Sequence, residues 1–206
     1  MDNRKKILSI ISILNERYGT LSWWDASFDG VVIGAILTQQ TRWDNVERAF
    51  GKLKSAGIET LASVIATDPA ILESCIRCTG FYRVKAHRLQ NLAQFILGLD
   101  EDIKQIPTYE LRKLLLTVKG VGEETADSIL CYGLFRDTFV IDAYTRRICG
   151  CAEISASDDQ LRSLFLSALS SDNALLRSCH GQIVEYAKEY CTKKRCPECI
   201  IQILNG

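Results

Sequence analysis

The sequence predicts an all-α protein. Apolar residues recur at helical spacing through long stretches, and only three prolines interrupt 206 residues. The β-branched and aromatic run Thr138–Ile141 is short, and no second strand is evident to pair with it. The first helix is predicted over 3–18. Its segment MDNRKKILSIISILNERYG starts basic and turns apolar, like a secretory signal, but Ile7, Ile10, Ile11 and Leu14 fall on one helical face with polar residues between them. Further helices follow at 28–40, 43–56, 81–98, 108–117, 123–134, 142–150, 158–170 and 174–190, with shorter ones near 60–65 and 68–75. Gly19, Gly57, Gly80, Pro107, Gly120 with Gly122, and Gly150 mark the joins, and Asp68-Pro69 reads as a cap followed by the first helical position. The length suffices for one large domain or two small ones sharing a cleft. With no repeat and no low-complexity linker, two domains would pack closely.

Composition narrows the function classes. Apolar residues make up 47% and charged residues 24%, as in ordinary globular chains. No apolar run approaches the ~20 residues that span a bilayer, so the expected location is cytoplasmic. Formal net charge is zero. A protein that held nucleic acid by broad electrostatics would be basic, so any grip on DNA must use local cations and backbone dipoles. Nine cysteines, an odd count without a secretion signal, argue against a disulfide framework and leave buried thiols or metal ligands.

The segment LLLTVKGVGEETADSILCYG places a Val-Lys-Gly-Val-Gly corner between two apolar helical stretches. Two glycines two apart permit a tight turn with positive φ, and amides at such a corner and at the following helix start can hold a phosphate without side-chain charge. An ordinary helix–turn–helix corner would look the same. The context adds to it: Val140-Ile141-Asp142 follows, and AILTQQT (35–41), GFYRVKAHRL (80–89) and HGQIVEYAKEYC (180–191) occur in order. This combination resembles the helix-hairpin-helix superfamily of base-excision DNA glycosylases that includes endonuclease III. Trp23-Trp24, Leu37–Thr41 with Trp43, and Lys119–Tyr132 are most similar to its 3-methyladenine DNA glycosylase III branch.

The resemblance implies two helical subdomains with a cleft between them. A six-helix unit, 20–137, carries the hairpin, and 1–19 with 138–206 form the second unit, which ends in a cysteine-containing loop. It implies a monomer acting on double-stranded DNA that contains a damaged base. Gln40 matches the position that fills the gap left by the flipped base, and Lys119, Gly120, Val121, Gly122 and Thr125 match the phosphate-binding hairpin. Asp142, which by itself reads as a helix N-cap, matches the catalytic aspartate. Breaking an N-glycosidic bond develops positive charge on the sugar, which one carboxylate stabilises while helping to deprotonate an attacking water.

Bifunctional relatives carry a lysine just after the hairpin that forms a Schiff base with C1′. Here Glu124 stands in its place, and a carboxylate cannot do this chemistry. The expectation is therefore a monofunctional glycosylase. Its favoured substrate is an alkylated purine such as 3-methyladenine, because a cationic base suits an electron-rich aromatic face. Trp43 is the foremost stacking candidate, with Trp24, Trp23 and the acid Glu124 also assigned to the base pocket. An endonuclease III-like enzyme for oxidised pyrimidines or mismatched thymine, and a non-catalytic hairpin DNA-binding protein, are the alternatives.

Cys191, Cys196 and Cys199 have C-x4-C-x2-C spacing. Many family members hold a [4Fe–4S] cluster here with four cysteines, but the fourth position is Asn205. Cys179 lies twelve residues before Cys191 on a predicted helix, about 18 Å away along its axis. A degenerate loop, a cluster with an unusual fourth ligand and a zinc site all stay open. Arg83, Lys85, His87 and Arg88 form a local basic group at least partly at the surface, as do Lys193, Lys194 and Arg195 in the tail.

Overall fold

The structure, a computed structural model, describes residues 2–205, with side chains described through Gln202. The described residues hold helices and no strand. The helices are α1 (Asn3–Tyr18), α2 (Phe28–Leu37), α3 (Trp43–Ser55), α4 (Leu61–Ala66), α5 (Pro69–Ile76), α6 (Tyr82–Leu97), α7 (Thr108–Thr117), α8 (Glu123–Ser128), α9 (Ala143–Cys151), α10 (Asp158–Ala168) and α11 (Asn173–Ala187). Thr138–Ile141 is buried irregular chain. The caps are local chemistry: Asp68 Oδ1 accepts from Ala70 N at 2.8 Å ahead of Pro69, and Thr60 and Ser157 form capping boxes. Two predicted helices are shorter as α-helix than the periodicity suggests. α8 runs into a π-turn at Ile129–Gly133, and α11 into another at Lys188–Thr192; apolar spacing does not distinguish the two windings.

The chain forms two compact units, residues 26–134 and residues 1–25 with 135–206. In the first, α2 is buried from Val31 through Leu37 and packs on α6, α8 and the 129–133 turn. It is apolar on every side because every side is covered. Gly133 lets this packing close, since a Cβ there would lie 3.1 Å from the Phe28 ring.

The second unit wraps α1, α9, α10 and α11 around one core. Ile7, Ile10 and Leu14 are fully buried in it, so the signal-like N-terminal segment is a core helix. Each such side chain contributes about 1.5–3 kcal/mol by leaving water. Phe139, from the irregular run, stacks on Phe165 of α10 at 4.0 Å between ring centres. That contact fixes the chain just before Asp142. No described helix is long and apolar enough to cross a membrane.

Candidate active site

The glycine corner sits in the 26–134 unit between α7 and α8. Gly120 has φ +94 and Gly122 has φ −96, so only the first glycine needs the left-handed region. A Cβ at Gly120 would also meet Arg88 Cδ at 2.5 Å. Arg88 is there for a reason. Its Nη1 donates to Gln39 Oε1 at 2.8 Å, while Gln39 Nε2 donates to Gly120 O at 3.0 Å and to Thr125 Oγ1 at 3.1 Å. Gln39 thereby ties the end of α2 to the hairpin from inside.

This arrangement redistributes the hairpin residues. Thr125 is buried with its hydroxyl engaged by Gln39. Val121 is buried and its N–H donates to Val118 O at 3.0 Å, so it does not present the outward amide expected of it. Lys119 and Gly122 are exposed. Glu124 is exposed on the first turn of α8, and Glu123 beside it pairs with Arg112 at 3.1 Å. Arg112 reaches on to the buried Asp127 at 2.8 Å, which holds its guanidinium firmly charged.

Lys85 braces a second part of this unit. It is only 2% exposed, so it does not belong to a surface basic group as the sequence suggested. Its Nζ donates to Leu37 O at 2.8 Å, Thr41 Oγ1 at 2.5 Å and Thr79 O at 3.0 Å. Burial, with the charge of Arg88 added, lowers its pKa to about 8. The lysine joins two turns, and each ends in a left-handed residue: Gln40 with φ 52 and Phe81 with φ 46. Gln40 is exposed, and Phe81 is 71% exposed. Phe81 was not singled out by sequence. Its signal was an aromatic following Gly80 with no place on the buried face of α6.

The carboxylate belongs to the other unit. Asp142 is the N-cap of α9, with Oδ1 accepting from Thr145 N at 2.7 Å. It is 9% exposed. Its Oδ2 lies 3.7 Å from Nε2 of the buried His180 on α11, an ion-pair distance. Burial pushes the Asp142 pKa up, but His180 and the Thr145 amide outweigh it and hold the group below its ordinary value. The edge of Phe139 meets the His180 ring at 6.0 Å and 85°. The segment HGQIVEYAKEYC gives no sequence signal of this relation, which arises because α11 aims the His180 ring at the carboxylate.

Residues 33–168 match the family model of the HhH-GPD superfamily of base excision DNA repair proteins. The chain belongs to that superfamily. A Methanocaldococcus jannaschii protein named "Putative DNA repair glycosylase MJ1434" is 41% identical over 206 residues, covering 95% of this chain and 94% of the relative. Endonuclease III of Sulfolobus acidocaldarius is 26% identical over 177 residues, 83% and 78% of the two chains. Among solved structures, the H. pylori 3-methyladenine DNA glycosylase bound to 1,N6-ethenoadenine superposes with a TM-score of 0.78 at 26% identity, covering 92% of this chain and 98% of that one. The activity that goes with this membership is that of a DNA glycosylase.

The tryptophans of this HhH-GPD protein divide between its units. Trp43 opens α3 in the 26–134 unit, 37% exposed, with Nε1 donating to Glu47 Oε1 at 2.9 Å. Trp23 and Trp24 lie in the other unit. Trp23 packs on Gly181, where a Cβ would come within 2.7 Å of it, and Lys188 Nζ stands 4.8 Å from its ring centre. One cation thus already uses the Trp23 ring. Trp24 is half-buried with φ 53.

The cysteine tail of the glycosylase winds into short turns, Cys196–Glu198 and Ile200–Asn205. Cys191 is half-buried, Cys196 exposed and Cys199 buried. Cys179 is buried deep on α11 beside Cys149. The Asn205 side chain lies outside the described residues.

Proposed function

We propose that this chain is a monofunctional DNA glycosylase that hydrolyses the N-glycosidic bond of an alkylated purine, such as 3-methyladenine, in duplex DNA. The observation that carries the reading is the Asp142 carboxylate, buried yet held in its charged form by His180 and the Thr145 amide. Departure of the base leaves oxocarbenium-like charge on the deoxyribose. A preorganised carboxylate stabilises that charge and assists the attacking water. Glu124, at the place of the lyase lysine, supports hydrolysis without a Schiff base.

Other features suit this role. Gln40 and Phe81, exposed and braced by Lys85, can enter the duplex where a nucleotide has been flipped out. Lys119 and the Gly120 and Gly122 backbone would hold phosphates. Trp43 would receive the base, and a cationic purine gains from its ring. The similarity to a 3-methyladenine DNA glycosylase crystallised with 1,N6-ethenoadenine favours a purine. Endonuclease III similarity at the same identity favours a second reading, an enzyme for oxidised pyrimidines or mismatched thymine.

A panel of duplexes carrying methylated purines, oxidised pyrimidines, uracil or mismatched thymine separates these readings. Release of the methylated purine supports the proposal, and release of a pyrimidine instead transfers it to the second reading. Asp142→Asn should abolish excision while leaving DNA binding intact. A wild-type protein that binds DNA but releases nothing would reduce the chain to a hairpin binding protein.

A further inference from the structure

We propose that Ser178, Gly181 and Gln182 of α11 are positioning residues for base recognition: they fix the 19–24 segment and so set where Trp24 stands relative to Asp142. The inference rests on the assignment of Trp24 to the base pocket. All of these residues belong to the unit formed by residues 1–25 and 135–206. Hydrogen bonds and one close approach tie the segment to a single stretch of α11. Ser178 Oγ accepts from Leu21 N at 2.9 Å. Gln182 Nε2 donates to Gly19 O and to Asn15 Oδ1, the latter at 2.8 Å. Ser178 and Gln182 are one turn apart and share a face of the helix. Beside them Gly181 meets Trp23, where a Cβ would come within 2.7 Å of Trp23 Cβ and Cγ.

Burial indicates what each group does. Ser178 is 4% exposed and Gln182 is fully buried. Gln182 Oε1 accepts from no described residue. A buried amide satisfied on one side only costs stability, so Gln182 is not there for packing alone. What it adds is the donor that Gly19 O takes. Gly181 contributes by having no side chain, which lets Trp23 approach the helix backbone. Two turns further on, Lys188 Nζ stands 4.8 Å from the centre of the Trp23 ring. Trp23 is thus held from Gly181 to Lys188 and works as an anchor. The next residue, Trp24, has φ 53. A bulky residue in the left-handed region is held there by its surroundings, and here those include the contacts of the segment that leads into it.

The same turn of α11 serves the carboxylate. His180, the neighbour of Gly181, aims Nε2 at Asp142 Oδ2 across 3.7 Å. Adjacent side chains leave an α-helix about 100° apart, so His180 and Gly181 face different partners from one backbone. The helix holds the acid on one side and the tryptophan segment on the other, at a fixed spacing. Cleavage needs C1′ beside the carboxylate while its base is stacked, and a misplacement of about 1 Å can cost roughly 100-fold in rate. Gly181 is the sensitive point, because a side chain there pushes Trp23 away while the His180 ring faces elsewhere.

The test compares full-length Gly181→Ala, Ser178→Ala, Gln182→Leu and Trp24→Ala with wild type, on duplexes carrying a methylated purine, an oxidised pyrimidine or mismatched thymine. Gly181→Ala should lower kcat/KM on the preferred base by roughly 100-fold and less on the others, so that selectivity narrows. The acid limb of its kcat profile should stay at the wild-type pH. In a Trp43→Phe background, Trp23 and Trp24 are the remaining indoles, and Gly181→Ala should shift their emission to the red and raise quenching by acrylamide. Should Gly181→Ala fail to fold, Ser178→Ala and Gln182→Leu release the same segment without crowding α11 and should give both changes at smaller size. Trp24→Ala separates the inference from the assignment beneath it. Excision and selectivity unchanged in Trp24→Ala would remove Trp24 from the base pocket, and the proposal falls with that assignment. Selectivity altered in Trp24→Ala but not in the α11 variants, or α11 variants with wild-type emission, would overturn the positioning role itself. So would an equal loss on every base, the mark of a merely structural defect.

Discussion

His180 on α11 points Nε2 at Asp142 Oδ2 across 3.7 Å, and the carboxylate's other oxygen is held by Thr145 N at 2.7 Å. A buried acid left alone would drift towards its protonated form; these two groups reverse that drift. Asp142 therefore contributes stability that is present above its unfolded pKa, near 3.9, and is lost as pH falls through its lower folded value. In His180→Leu, burial is no longer opposed by the ring. The acid limb of the kcat profile should move to higher pH, with the helix content unchanged. An acid limb that stays in place would show that His180 does not act through Asp142.

The two hairpin glycines should respond differently. Gly120→Ala puts a Cβ at φ +94 against Arg88, and moving Arg88 breaks its bond to Gln39. A cost of about 1–3 kcal/mol is expected in urea denaturation. Gly122→Ala meets nothing within 4 Å at φ −96 and should stay within about 0.5 kcal/mol of wild type. Equal losses would mean that the close approach of Arg88 to Gly120 does not constrain the corner.

Lys85 links stability to alkaline pH. Its pKa is about 8 in the folded chain and about 10.4 when unfolded. The unfolded state thus binds more protons between these values, and this group makes stability rise as pH climbs through that window. Lys85→Met should remove this rise, and should impair excision more than overall folding by loosening the Gln40 and Phe81 turns. Denaturation midpoints between pH 7 and 10.5 check the first statement; an unaltered slope in the variant would contradict it.

Trp43→Ala should weaken excision more than binding to undamaged duplex. Stacking of a base on an aromatic is worth about 1–3 kcal/mol, or roughly fivefold to over a hundredfold. Trp43→Phe should recover part of it. Equal losses in excision and nonspecific affinity would remove Trp43 from the base pocket.

Much of this was legible because local rules and packing agree. The α1 face, the Asp68-Pro69 start and α7 follow the periodicity, and Asp142 was readable as a cap from its place before an amphipathic stretch. The residues that escaped are defined by long-range geometry. Lys85 looks like a surface cation until Leu37 and Thr41, distant in sequence, are folded around it. Gln39, Arg88 and Gly120 form one contact from three separate segments. His180 acquires its relation to Asp142 only when α9 and α11 pack together. Val121 failed in the opposite way: the corner's own hydrogen bond consumes its amide, which a glycine pattern does not reveal.

The central claim is hydrolysis driven by Asp142 with no amine at the sugar. The most direct measurement incubates the wild-type chain with a labelled duplex carrying a methylated purine, adds borohydride, and analyses the strand with and without alkali. The account predicts free base, a strand that breaks only after alkali, and no protein–DNA adduct. A trapped adduct, or a strand cut before alkali, would contradict it.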